Sequence, residues 1–183
     1  EGLCRPHRRG TVANPMAITF LLGGARSGKS RRAQELAEQV SPGRTFIATA
    51  EALDDEMERR IARHQADRGT GWQTVEAPLD LVAALGSAPL EDAILVDCLT
   101  LWLSNLMHHE RDVDAESESL CAALEMMTQP VFLVSNEVGL GLVPETKLGR
   151  AFRDAQGRLN QRVATVCDVV EFVAAGLPLR LKG

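Results

Sequence analysis

From Ala17 onward the chain alternates short apolar runs with longer amphipathic ones, a pattern that predicts strands joined by helical crossovers. The strand candidates are AITFLL, RTFIATA, DAILVDC, PVFLVSN and DVVEFVAAG. The first, third and fourth are apolar almost throughout, as strands buried on both faces of a parallel sheet are, and are therefore the predicted central strands. After the fifth, Gly176 and Pro178 introduce the alternating piece LRLK, which predicts an antiparallel edge hairpin. Between the strands, Ala33, Leu36, Ala37 and Val40 recur at helical spacing until Ser41-Pro42-Gly43 stops them. A further helix is predicted from about Asp54 to Arg68, acidic at its start and basic later, as the helix dipole favours. Others are predicted from Leu99 to His109, from Glu116 to Met127, and through Leu148, Phe152, Ala155, Leu159 and Val163.

Composition narrows this picture. The 183 residues, 45% hydrophobic, are enough for one well-buried core and few for two. Residues 1–16 carry Arg5, Arg8 and Arg9 with no apolar stretch behind them, so they are expected to be a flexible extension and not a secretory signal. One domain is expected over residues 17–183. A net charge of -5, from 20 basic against 25 acidic side chains, argues against nucleic acid as a partner, which would need a basic excess. Cys4, Cys98, Cys121 and Cys167 form no CxxC pair, so they read as reduced thiols of a cytoplasmic protein. No apolar run approaches the ~20 residues that a membrane-spanning helix needs.

The chemistry begins at Gly23-Gly24-Ala25-Arg26-Ser27-Gly28-Lys29-Ser30, which has the G-x-x-x-x-G-K-S form of a phosphate-binding P-loop. It follows an apolar strand and opens an amphipathic helix, so backbone N–H groups and the helix N-terminus can converge on phosphate oxygens. Lys29 would supply charge to the outer phosphates, and the Ser30 hydroxyl could join the coordination of Mg2+. Ile94-Leu95-Val96-Asp97 delivers a carboxylate at the end of the third strand candidate, a Walker B pattern in which Asp97 would hold the same ion. A cap or turn aspartate for the helix that begins near Leu99 is the lesser reading, and the two roles are not exclusive.

His64 stands among charged neighbours at i+3 from Ile61 and i+7 from Met57. By spacing it is a packed or surface histidine, although a neutral imidazole near a triphosphate could attack phosphorus. His108 and His109 end another helix, where they suit the dipole. Asn136 and Glu137, in the glycine-rich stretch after the fourth strand candidate, could position an acceptor or simply form a turn.

Four separated strings, GGARSGKSRRAQ, FIATAEALDDEMERRIARHQADR, ILVDCLTLWLSNL and VSNEVGLGLVPETKLGRAFRDAQGRLNQ, together resemble the bifunctional adenosylcobinamide kinase / adenosylcobinamide-phosphate guanylyltransferase family of cobalamin biosynthesis. The resemblance covers nearly the whole span from Ala17 to Lys182. Gly69 departs from it, standing where a proline often follows the family's arginine. It implies a single-domain α/β P-loop fold with a mostly parallel, RecA-like sheet, and assembly as a homotrimer. It implies phosphorylation of adenosylcobinamide by ATP or GTP, then transfer of GMP from GTP to adenosylcobinamide phosphate.

By the same resemblance His64 carries GMP covalently, reversing the reading from spacing. Nucleotide contacts would fall on Gly23, Gly24, Ala25, Arg26, Ser27, Gly28, Lys29 and Ser30. Others would fall on Ala48, Thr49 and Ala50, on Gln65, Ala66, Asp67 and Arg68, and on Glu76 and Asp97. A P-loop kinase without nucleotidyl transfer, and a RecA-like protein that uses nucleotide to regulate a partner, are the alternatives that the residues leave open.

Overall fold

A computed structural model describes residues 17–51 and 69–183. The expected extension over residues 1–16 and the helix expected from Asp54 to Arg68, with His64, Gln65, Ala66, Asp67 and Arg68, lie outside the described residues. The elements are β1 (Ile18–Gly23), α1 (Lys29–Val40), β2 (Arg44–Ala48), β3 (Trp72–Glu76), α2 (Leu81–Ser87), β4 (Ala93–Asp97), α3 (Leu99–His108), α4 (Val113–Glu125), β5 (Val131–Asn136), α5 (Lys147–Val166), β6 (Val169–Ala174) and β7 (Leu177–Lys182). They build one 7-stranded sheet in the order β3-β2-β4-β5-β1-β6-β7. Every pairing is parallel except β6 with β7, which is antiparallel.

The three most apolar strands, β4, β5 and β1, occupy the centre, as their composition requires. Alternation along each strand sends side chains to opposite faces. Phe20 and Leu22 of β1, Ile94 and Val96 of β4, and Val131 and Leu133 of β5 share one core with α2, α3, α4 and α5. Leu21, Leu95, Phe132 and Val134 meet Ala33, Leu36 and Ala37 of α1 on the other face. Trp102 of α3 is fully buried and donates from Nε1 to the Leu79 carbonyl at 2.9 Å, so its polar atom is satisfied. Truncating a buried tryptophan of this kind costs about 3–5 kcal/mol.

Three local readings needed adjustment. Helix α4 begins at Val113, ahead of the Glu116 expected, because the Asp112 side chain accepts from Asp114 N–H and Ala115 N–H and caps the earlier turn. Strand β3 was not expected; it is a sheet edge whose Gln73, Thr74 and Glu76 are exposed, leaving no apolar run to see. Helix α2 was also unexpected, and it is short. The expected C-terminal hairpin forms with Ala175 and Gly176 both at positive φ, 51° and 77°, as a tight primed hairpin turn requires. Pro178 falls in the outermost strand, where a missing N–H is tolerated.

Candidate nucleotide site

Because the strands from β1 to β6 are parallel, their C-terminal ends share one edge of the sheet, and the candidate residues collect there. The loop after β1 is tightly wound. Arg26 and Gly28 take positive φ, 55° and 97°, and Ser27 N–H donates to the Gly24 carbonyl at 3.3 Å. A side chain on Gly23 would collide with the Val173 carbonyl of β6, so that glycine is demanded by close approach.

Lys29 opens α1 and is only 7% exposed. Its Nζ donates to the Gly24 carbonyl at 2.9 Å, spanning the mouth of the loop. Burial lowers its pKa below the usual lysine value, while the charge of Asp97 and then that of Cys98 partly oppose the shift. The ammonium therefore sits desolvated at a helix N-terminus, where an anion would relieve it. Ser30 is the next residue of the helix and is half-buried, while Ala25 and Arg26 are exposed.

Across the edge from this loop, strand register sets three other candidates in one row. Ala48 pairs with Glu76 on one side and with Asp97 on the other. Glu76 is exposed and Asp97 half-buried. Thr49 is fully buried, and its hydroxyl joins two segments: it donates to the Cys98 carbonyl at 2.7 Å and accepts from Cys98 N–H at 2.8 Å. The intervening Asp97–Cys98 peptide is cis. Asn105 of α3 donates to the Thr49 carbonyl at 2.7 Å, so Thr49 braces the backbone that presents Asp97. Ala50 is half-buried beyond it. The Cys98 thiol is pushed up to about 11, by burial first and by Asp97 next, which fits an inert buried thiol.

A second network that the sequence reading missed braces the end of β5. Ser135 Oγ donates to Asn160 Oδ1 at 2.8 Å and accepts from Gln156 Nε2 at 3.0 Å. Thr100 Oγ1 accepts from Asn136 N–H at 2.8 Å. The signal was the polar pair Gln156 and Asn160 at i,i+4 among the apolar positions of α5. Glu137 N–H then donates to the Gly23 carbonyl at 3.1 Å, and its carboxylate accepts from Gly139 N–H at 2.5 Å. The carboxylate is thus engaged in its own turn. Elsewhere, His109 at the C-terminal end of α3 pairs with Glu51 at 3.0 Å.

The donor chemistry fits a magnesium ion carried by a triphosphate. Ser30 and Asp97 offer hard oxygen ligands, and Asp97 lies close enough to Lys29 to influence its charge. Among the described residues no group of three or more His, Cys, Asp or Glu could hold a metal unaided. An ion at this edge would accordingly draw most of its ligands from phosphate and water.

A family model described as cobinamide kinase / cobinamide phosphate guanyltransferase matches residues 19–181. The chain belongs to this family. Among the family's members, the bifunctional adenosylcobalamin biosynthesis protein CobP of Pseudomonas aeruginosa is 49% identical over 167 residues, spanning 90% of this chain and 96% of the relative. The corresponding CobU of Salmonella typhimurium is 41% identical over 182 residues, spanning 90% and 99%. A solved structure, the flagellar accessory protein FlaH of Methanocaldococcus jannaschii, shares the fold with a TM-score of 0.52 at 13% identity, covering 91% of this chain and 78% of that one. The cobinamide kinase / guanyltransferase family match thus extends well beyond the phosphate loop, through every described element. No described helix is long and apolar enough to cross a membrane.

Proposed function

We propose that this chain catalyses two successive reactions. The first moves a phosphoryl group from a nucleoside triphosphate to the aminopropanol hydroxyl of adenosylcobinamide. The second moves GMP from GTP to the resulting phosphate, giving adenosylcobinamide-GDP and pyrophosphate. The observation that carries this reading is a well-formed phosphate loop, with a buried Lys29 at its mouth, inside a chain that matches the bifunctional family over residues 19–181.

In this reading Gly23 to Ser30 cradle the phosphates, Lys29 neutralises charge on the transferred group, and Ser30 and Asp97 hold Mg2+. Ala48 to Ala50, Gln65 to Arg68 and Glu76 complete the nucleotide contacts. His64 carries the GMP. Its imidazole nitrogen attacks the α-phosphorus of GTP, and the electrons of the breaking P–O bond leave with pyrophosphate. The ring gives up its remaining N–H proton as the N–P bond forms. An oxygen of adenosylcobinamide phosphate then attacks the same phosphorus, the N–P bond breaks, and the ring takes a proton back from water, returning the neutral imidazole.

Incubation with α-labelled GTP tests the covalent step. An acid-labile label on the protein, lost in His64→Ala, is expected. A label that survives His64→Ala, or none on the wild type, would sink it.

The homotrimer belongs to the same proposal. Its support is edge strand β7, where Leu177, Leu179 and Leu181 are 72%, 62% and 57% exposed, a row that a free edge would leave prone to association. Sedimentation equilibrium checks it, and a monomer would exclude it. We also place the protein in the cytoplasm, a reading supported by the free thiols of Cys98, Cys121 and Cys167.

A further inference from the structure

The phosphate loop does not stand on its own strand and helix alone. Its carbonyls are held from three directions: Gly23 O by Glu137 N–H at 3.1 Å, Gly24 O by Lys29 Nζ at 2.9 Å, and Ser27 O by Gly176 N–H at 2.8 Å. The last contact comes from the turn between β6 and β7, at the far end of the chain. The fit is close, since a side chain on Gly28 would stand 3.1 Å from the Gly176 Cα. The same hairpin is tied to α1 from below. Glu171 of β6, 3% exposed, accepts from Arg32 Nε of α1 at 3.1 Å and from Arg180 Nη2 of β7 at 3.1 Å.

The peptide between Ser27 and Gly28 is a plane in which C=O and N–H point in opposite directions. Fixing the Ser27 carbonyl against Gly176 therefore aims the Gly28 amide away from the hairpin. We propose that the β6–β7 turn is a working part of the phosphate loop: Gly176 is a positioning residue that aims the Gly28 N–H at the nucleotide phosphates, and Glu171 clamps the turn in place through Arg32 and Arg180. This inference rests on the reading that the loop binds a nucleoside triphosphate.

Gly176 is exposed, and a side chain built on it meets nothing within 4 Å. A substitution there acts through its positive φ of 77° and not through a clash. Valine disfavours that conformation strongly, while asparagine tolerates it and keeps the N–H. The test is titration of the full-length protein with magnesium-GTP by calorimetry, alongside thermal melts.

Gly176→Val should raise the Kd about tenfold, the equivalent of one charge-assisted hydrogen bond loosened. Gly176→Asn should restore it to within about twofold, and Glu171→Gln should raise it about three- to fivefold. A Gly176→Val protein that melts lower but binds magnesium-GTP as the wild type does would overturn the proposal, because the turn would then be only structural. A wild type that does not bind would instead overturn the nucleotide reading beneath it.

Discussion

On one side of β5, at the sheet's C-terminal edge, the contiguous residues Gly23 to Ser30 wind into a candidate anion cradle after β1. On the other side, Glu76, Ala48 and Asp97 come from separate strands and meet only because the register of β3, β2 and β4 sets them side by side. The cradle is contiguous in sequence, and its winding follows from positive φ at Arg26 and Gly28 and from a helix that begins at Lys29. The row is a tertiary object, and its outer member, Glu76, is an exposed residue on an edge strand. Within the row, Ala48 belongs to the buried core while Glu76 is exposed, so only the outer member can change without disturbing the packing.

The largest effect is expected in the cradle. Lys29→Met should lower kcat/KM for adenosylcobinamide phosphorylation by about a hundredfold or more, the scale of removing one pre-aimed charge from a transition state. Steady-state assays check it, and a loss under about fivefold would remove Lys29 from the machinery. The same variant carries a pH signature. Lys29 has a pKa lowered from 10.5 by burial, so between its folded value and 10.5 the unfolded chain binds more protons. The wild type should therefore gain stability relative to Lys29→Met as pH rises through that window. Denaturant melts of the two proteins across alkaline pH read the slope, and an opposite slope would contradict the desolvation.

In the row, the brace should matter more to stability than to chemistry. Thr49→Val removes the hydroxyl that serves both backbone groups of Cys98 and should cost about 1–3 kcal/mol for each group left unpaired, measured by urea unfolding. A change within about 0.5 kcal/mol, the range of ordinary surface substitutions, would show that the backbone finds other partners. The smallest effect is expected at Glu76. Glu76→Gln should leave stability within about 0.5 kcal/mol and raise the GTP KM by a few-fold, on the order of 1 kcal/mol. An unaltered KM would remove Glu76 from the nucleotide site and leave the comparison resting on Asp97 alone.

The strand and helix pattern made much of this molecule readable in advance. The central strands β1, β4 and β5 declared themselves by continuous apolar runs, and the C-terminal hairpin by Gly176 and Pro178, because burial and turn geometry leave composition no freedom there. Strand β3 stayed hidden because an edge strand with exposed Gln73, Thr74 and Glu76 is chemically indistinguishable from a loop. Glu76 was reachable through family resemblance and through no motif of its own.

The linear chain thus determined by itself the phosphate-loop motif, the central strands and the carboxylate at the end of β4, since each is written in one contiguous run of residues. Only the tertiary structure decided that Ala48 lies between Glu76 and Asp97, that Thr49 spends its hydroxyl on Cys98, and that Gly176 grips Ser27 across the chain. These are matters of strand order and register, fixed by how two faces of one sheet bury their side chains and not by any local run of residues.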